Sequence, residues 1–132
     1  SVLAYNYDGY VYPSDEARML AETGDTSLRM GRIGTALEAL QASAVRHSLA
    51  RASEIERFEE CRACPYSLFC APNPVDAQAQ FGTVIAPVHE TEHCQRHMRL
   101  FDAMFMALRV ANDDLLDLFH RWAQPTTVEG PA

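Results

Sequence analysis

A chain of 132 residues, 48% hydrophobic and 22% charged, is long enough to form one globular domain and too balanced to be a long disordered segment. Its net charge of −7 arises from 18 acidic residues against 11 basic ones, none of them lysine, which argues against nucleic acid and anionic membrane surfaces as partners. No apolar run approaches the roughly 20 residues of a membrane-spanning helix and no secretory signal is visible, so we expect a cytoplasmic protein.

The first thirty residues predict a small β-structure and a short helix. Positions 2–7 and 10–12 are rich in apolar and aromatic residues, and Asp8-Gly9 between them is typical of a two-residue type I′ hairpin turn. Ser14 is placed to cap a short helix after the second strand. Residues 27–30 predict a further short strand that stops at Gly31.

The middle of the chain predicts helix and then loop. Thr35 and Glu38 have the spacing of a capping box, which predicts a helix from 35 to about 49, followed by a second helical piece over 52–58. Residues 61–74 contain three prolines and no helical period, so they predict a loop.

From Thr91 onward the chain predicts helices again. A stripe at three- and four-residue steps is expected to face a core rather than to form a partner groove. It consists of Met98, Phe101, Met104, Phe105 and Leu108. Asn112 is placed to cap a last helix with Leu115, Leu118, Phe119 and Trp122 on one side, and residues 125–132 predict a frayed tail.

Together these patterns predict an α+β fold. We expect a small N-terminal β-hairpin or sheet, a Cys-rich loop region, and C-terminal helices that pack over it, all within a single domain of residues 1–132. The start at Ser1, without Met, leads us to expect a piece of a longer protein.

The four cysteines carry the main functional signal. The Cys61-x2-Cys64 spacing recurs in zinc and iron–sulfur sites, because one tight turn directs both thiolates toward the same point. Cys70 and Cys94 complete a set of four. Two disulfides are disfavoured by the absent secretory signal, and free cysteines without a joint role remain an alternative. A zinc ion and an iron–sulfur cluster both accept four thiolates. The five-residue gap before Cys70 favours a [4Fe–4S] cluster, which is larger than a single zinc ion.

Charged and imidazole side chains adjoin these cysteines in sequence. We expect Arg62, His93, Arg96 and His97 to offset the negative charge of four thiolates or to bond the sulfur atoms, with a solvated helix face as the alternative. His89, His93 and His97 are four residues apart and would share one face of a helix, but Pro87 disfavours a helix at His89, so solvated histidines are the preferred interpretation. We assign no catalytic residue, because adjacent carboxylates such as Asp15 and Glu16 do not face each other on a helix.

Several motifs resemble one known family. They are residues 5–13 (Tyr-Asn-Tyr-Asp-Gly-Tyr-Val-Tyr-Pro) with 15–20, then Gly24-Asp25, residues 28–31, and the block from Cys61 to Cys70 that includes Cys64-Pro65-Tyr66. Nearly the whole chain, including residues 119–122, resembles the SPASM or twitch domain that follows the barrel of radical SAM peptide-modifying enzymes, and it is most similar to the maturases of the His-Xaa-Ser system.

The resemblance implies a cofactor and a partner. Cys61, Cys64, Cys70 and Cys94 match the ligands of the outer [4Fe–4S] cluster of that family, whereas Ser14 and Pro74 stand where cysteines of an inner cluster would be. The chain lacks the Cys-x3-Cys-x2-Cys motif that binds S-adenosylmethionine, so the resemblance implies that a catalytic barrel precedes Ser1 in cis and that this chain alone is inactive. The expected role is electron transfer, scaffolding or peptide positioning; the alternative is a zinc-stabilised module that binds a peptide or protein.

Overall fold

The computed structural model describes residues 2–124, which form a mixed α+β structure as expected. Its antiparallel sheet has the order β1-β2-β3, with β1 at Ala4–Tyr5, β2 at Tyr10–Tyr12 and β3 at Gly31–Arg32. The α-helices are α1 Asp15–Glu22, α2 Leu37–Gln41, α3 Ala44–Ala52, α4 Glu59–Arg62, α5 Pro74–Phe81, α6 Glu92–Arg109 and α7 Asp113–Ala123. Single 3-10 turns lie at Ile55–Arg57, Ser67–Phe69 and Val88–Glu90.

The N-terminal hairpin is confirmed, but its turn differs from the predicted one. Tyr5 pairs with Val11, and the connection is closed by a hydrogen bond of 3.1 Å from the Gly9 amide to the Asn6 carbonyl. A type I′ turn needs positive φ at both central residues, and at this turn only Gly9 has it, with φ of 81°. The loop therefore has three residues and ends on a left-handed glycine.

The third strand is displaced from its predicted position. Residues 27–30 form a turn and an extended link, and Gly31 lies inside β3 instead of stopping a strand. A Cβ at Gly31 would lie 2.8 Å from Cδ2 of Leu40, which is 2% exposed. Glycine is needed there because the buried side chain of Leu40 packs directly on the strand backbone.

The core of the first unit lies between the sheet and three helices. Tyr12, Ala17, Leu28 and Leu49 form its buried centre. Half-buried side chains from the sheet, from α1, α3 and α5, and from the loop after α5 surround it: Ala4, Tyr10, Leu20, Ala21, Val45, Val75 and Val84. Ser14 caps α1 as predicted, because its Oγ accepts a hydrogen bond of 3.2 Å from the Ala17 amide.

The helix predicted from Thr35 to residue 49 is two helices. α2 begins after Ala36 without a side-chain cap and ends at Gln41, so the capping box of Thr35 and Glu38 does not form. α3 starts again at Ser43, whose Oγ accepts from the Arg46 amide at 3.3 Å. The piece predicted over 52–58 is reduced to the 3-10 turn Ile55–Arg57.

A boundary after His97 divides the chain into two compact units. The second unit contains the rest of α6 and all of α7, and the Oδ1 of Asn112 caps α7 as predicted, at 3.1 Å from the Leu115 amide. The stripe on α6 was expected to face a core; Met98 and Phe101 are half-buried, whereas Met104, Phe105 and Leu108 are 49%, 41% and 39% exposed. The predicted tail, 125–132, lies outside the described residues. No helix within residues 2–124 is both long and apolar enough to cross a membrane.

Candidate metal centre

Cys61 and Cys64 lie at the two ends of one turn of the chain. Cys61 belongs to the single-turn helix α4, whose first turn carries Glu59 and Glu60, where acidic side chains favour the helix dipole. The Cys64 amide bonds the Cys61 carbonyl at 3.1 Å, which keeps the chain turning after the helix ends. The Tyr66 amide points back and donates to the Cys64 sulfur at 3.4 Å. Amides directed at cysteine sulfur are among the bonds that tune iron–sulfur clusters.

Cys70 follows the 3-10 turn Ser67–Phe69 and has extended backbone angles. Its thiol donates to the carbonyl of Ala71 at 3.7 Å. The region from Cys61 to Pro74 was predicted as a loop without helical period, and the end of α4 and this 3-10 turn correct that prediction. Short turns of this kind fit between prolines because they need few consecutive backbone donors.

Cys94 lies in the first turn of α6. The Oγ1 of Thr91 accepts from the Cys94 amide at 3.1 Å and donates to the Val88 carbonyl at 2.7 Å, so this buried threonine caps the helix. The amino end of an 18-residue helix favours a negative charge such as a thiolate.

The four thiols come from three segments of the chain and lie near enough for their charges to influence one another. All four are half-buried and none is in a disulfide. Burial raises the pKa of the Cys61 thiol to about 11, and the charges of Glu60 and of the other three cysteines add to this rise. Burial also raises the pKa of Cys70 and of Cys94, with further contributions from neighbouring cysteine charges. Charges act on one another in this way only when the groups lie near each other.

The four cysteine thiols are suitable metal ligands. Their sulfur atoms, however, are not positioned as they would be around a bound metal. Four thiols are the ligands that a [4Fe–4S] cluster or a structural zinc ion takes. Across residues 2–124, no group of three or more His, Cys, Asp or Glu side chains is arranged to hold a metal ion. The thiols are therefore gathered into one region without being in ligation geometry.

Hydrogen bonds join the three segments that bear the cysteines. The Oε1 of Glu60, next to Cys61, accepts from the Val88 amide at 3.2 Å. The Nε2 of His93, next to Cys94, lies 3.0 Å from the carbonyl oxygen of Ala71, which follows Cys70. The Oδ2 of Asp76 on α5 accepts from the His93 amide at 3.1 Å. The protein thus holds these segments together through its own polar groups.

The residues expected to support the ligands have different surroundings. Arg62 is exposed at the end of α4, and Arg96 is 67% exposed and lies 3.8 Å from Glu92 on its own helix. His97 stacks on His93 with 4.0 Å between ring centroids, and its Nδ1 lies 2.8 Å from the His93 carbonyl oxygen. The side chain of His93 bonds a second cysteine-bearing segment, the one that follows Cys70.

His89 does not share a helix face with His93 and His97. It lies in the 3-10 turn Val88–Glu90, before α6 begins, and its Nδ1 is 3.5 Å from the Oε1 of Glu60. Its side chain is 62% exposed. A solvated histidine was the preferred interpretation from sequence, and this position agrees with it.

Thr91, Glu60 and Asp76 help to position the cysteine-bearing segments, but the sequence analysis assigned them no functional role. The spacing of Thr91 and Cys94 is that of a helix cap and its third residue, so local pattern could have found Thr91. Asn73, Pro74 and Gly82 similarly mark the ends of α5, a helix that was not predicted. Glu60 and Asp76 reach partners 28 and 17 residues away, and no local pattern signals such contacts.

A small apolar cleft beside these segments has room for about one water molecule. Pro72, Asn73 and Thr91 belong to its lining, together with Phe58 and Val88. Its size and composition are those of a packing defect between α3, α5 and the cysteine-bearing segments, and not of a substrate pocket.

Comparison with known proteins finds no match to this chain. No protein-family model matches the sequence, and neither a curated protein nor a solved structure is significantly similar to it.

Proposed function

We propose that this chain is a metal-binding domain in which Cys61, Cys64, Cys70 and Cys94 together hold one [4Fe–4S] cluster. The observation that carries the proposal is the nearness of the four thiols, whose charges act on one another although up to 33 positions separate them. Four cysteines are the usual ligand set of such a cluster, and a saturated set leaves no iron open to substrate. A cluster held in this way supplies one-electron transfer or local order.

The surrounding residues support this role through position. The Tyr66 amide directs a donor at the Cys64 sulfur, and the amino end of α6 brings a partial positive charge close to Cys94. His93 and Asp76 fix the start of α6 against the segment after Cys70. Each of these groups favours negative charge at the thiols or keeps two of the cysteine-bearing segments in register.

The larger setting rests on the sequence resemblance alone. We propose that the domain serves a radical SAM enzyme that matures peptides, with the S-adenosylmethionine-binding barrel in cis and a peptide or protein as substrate. The motifs that carry this resemblance lie in the hairpin of β1 and β2, at the start of α1, and in the block from Cys61 to Cys70. In that setting the chain would contribute electron transfer, scaffolding or peptide positioning.

Zinc is the second candidate occupant, which would make the chain a zinc-stabilised binding module. The observation that favours it is the compact turn from Cys61 to Cys64, closed by an amide-to-carbonyl bond of 3.1 Å. Two thiols on one such turn are also typical of structural zinc sites.

Anaerobic purification with iron, sulfide and zinc analysis and a visible spectrum tests the proposal. We expect about four irons and four sulfides per chain and a broad absorption near 400 nm that a reductant bleaches. Cys64→Ser should lower the iron content, whereas Ser67→Ala, in the same turn region, should retain it. Stoichiometric zinc without colour would overturn the cluster and support the zinc module, and a chain that takes up neither metal would overturn both.

A further inference from the structure

Glu60 lies beside Cys61 in sequence, yet its side chain bonds a distant part of the chain. Its Oε1 accepts a hydrogen bond of 3.2 Å from the amide of Val88, a buried residue 28 positions further along. Val88 begins a 3-10 turn, and the preceding Pro87 supplies no side-chain cap. The amide at the start of such a turn has no acceptor within the turn itself. Glu60 therefore supplies the acceptor that this buried amide needs.

Three hydrogen bonds lead from Glu60 to Cys94. After the bond to the Val88 amide, the Val88 carbonyl accepts from the Oγ1 of Thr91 at 2.7 Å. The same Oγ1 accepts from the Cys94 amide at 3.1 Å. Val88 and Thr91 are 8% and 4% exposed, so water does not readily replace the bonds between them. The residue before Cys61 is thereby connected to the turn that holds Cys94.

The carboxylate of Glu60 also brings a negative charge close to two of the cysteines. Its charge raises the pKa of the Cys61 thiol and that of the Cys94 thiol, as expected for groups that lie near one another. The imidazole of His89 lies beside the carboxylate, with Nδ1 3.5 Å from Oε1. That imidazole is 62% exposed, so it leaves much of the carboxylate charge uncompensated.

The helix dipole of α4 does not account for this arrangement. Glu59 and Glu60 both lie in the first turn of α4, and either would favour the dipole equally. The bond to Val88 and the influence on the thiols of Cys61 and Cys94 belong to Glu60. Glu60 therefore has a role that its position in the helix does not explain.

We propose that Glu60 is a positioning residue of the metal centre, whose carboxylate holds the turn of Cys61 in register with the turn of Cys94 and whose negative charge makes the bound cluster harder to reduce. The effect on reduction rests on the proposed [4Fe–4S] cluster, whereas the positioning concerns the protein alone. Reduction adds one electron to a centre that four thiolates already make negative, so a nearby carboxylate opposes it.

Glu60→Gln separates the charge from the bond, because the amide oxygen of glutamine still accepts from the Val88 amide. In the anaerobically loaded chain we expect unchanged iron content and easier reduction. The equilibrium constant should change on the order of tenfold, which is about 59 mV for a one-electron couple. Titration with dithionite and redox dyes, followed by visible absorption, measures it. The matched control is Glu59→Gln, which changes the net charge equally in the same turn and should shift the potential much less.

Glu60→Ala removes the acceptor as well as the charge. We expect it to retain less iron than Glu60→Gln, because the two cysteine-bearing turns are no longer held together. In the metal-free chain, hydrogen exchange of the Val88 amide should be faster on the order of tenfold, and Glu60→Gln should keep that amide protected. Circular dichroism of each variant verifies that the helix content is kept.

Each part of the proposal has its own contrary result. Equal potentials for Glu60→Gln and the unaltered chain, or equal shifts in the two Gln variants, would overturn the effect on reduction. Equal exchange of the Val88 amide in Glu60→Ala and Glu60→Gln would overturn the positioning role. A chain that takes up no iron would overturn the proposed function and the effect on reduction with it, and the amide exchange would still decide whether Glu60 holds the two turns together.

Discussion

The Nε2 atom of His93 lies 3.0 Å from the carbonyl oxygen of Ala71, and this bond joins the helix that bears Cys94 to the segment that bears Cys70. A carbonyl oxygen only accepts, so Nε2 carries the proton. The His93 amide is held in addition by Asp76 at 3.1 Å. Cys70 and Cys94, which have 23 residues between them in sequence, are thereby kept in one region.

Replacing His93 by Phe should lower the free energy of unfolding of the metal-free chain. The side chain remains a flat aromatic ring but loses the donor to Ala71, which costs about 1 kcal/mol. His93→Gln offers a side-chain amide donor and should lose less. Urea unfolding followed by circular dichroism measures both, and equal midpoints for the Phe variant and the unaltered chain would show that the bond does not contribute.

A second network stabilises the sheet. The hydroxyl of Tyr12, a residue with no exposed surface, donates to the Oδ2 of Asp8 at 2.8 Å and accepts from the Nε of Arg29 at 3.1 Å. Arg29 also lies over the Tyr10 ring, 3.9 Å from its centroid, and pairs with Asp8 at 3.0 Å.

Tyr12→Phe should therefore destabilise the chain by about 1–2 kcal/mol, because Asp8 and Arg29 each lose a hydrogen-bond partner in a half-buried position. Tyr5→Phe is the matched control, since Tyr5 lies on the neighbouring strand and is 60% exposed. The two midpoints in urea should differ clearly. If both variants unfold together with the unaltered chain, the network adds no stability.

Local chemistry in the sequence predicted some elements well. Ser14 and Asn112 were identified as caps because a cap and its first turn are neighbours in sequence. The capping box at Thr35 failed because the chain begins α2 after Ala36, where tertiary packing of Leu40 against Gly31 outweighs the local preference. The spacing of the cysteines indicated a joint site, but it could not indicate Asp76 or Glu60, whose partners are distant in sequence.

The stripe on α6 shows a different limit of sequence patterns. A three- and four-residue period states that a helix has an apolar face, but not whether the same chain covers that face. Met104 and Leu108 follow the period and are 49% and 39% exposed. The period alone therefore does not predict how far such a face is buried.

Acid should destabilise the chain through carboxylates that accept hydrogen bonds. Bonds from the side chains of Ser27 and Gln78 hold the pKa of Asp25 below its ordinary value, and bonds from Tyr7 and Asn6 do the same for Glu22. Because the folded-state pKa values lie below the unfolded ones, their contribution is complete above the unfolded values and is lost as the pH falls through the folded ones.

The urea midpoint should therefore be nearly constant above about pH 5 and decline below about pH 4. The double variant Asp25→Asn and Glu22→Gln removes both titrating groups and should decline less steeply over the same range. A variant that follows the same curve as the unaltered chain would assign the acid sensitivity to other carboxylates.

Thr91→Val should weaken metal binding more than it weakens the fold. The change keeps the buried volume but removes the Oγ1 that accepts from the Cys94 amide, so the first turn of α6 loses its cap at a cost of about 1 kcal/mol. Cys94 lies in that turn, and loss of groups that orient metal ligands typically lowers affinity about 10- to 100-fold.

The matched control for this variant is Ser14→Ala. It removes the cap of α1, a hydrogen bond of 3.2 Å to the Ala17 amide, at a similar cost in stability but in a helix that bears no cysteine. Titration with Co²⁺, whose thiolate complexes absorb visibly, measures the affinity of both variants. Thr91→Val should bind Co²⁺ at least about tenfold more weakly than Ser14→Ala. Equal affinities would show that the Thr91 cap stabilises α6 without positioning Cys94 for the metal.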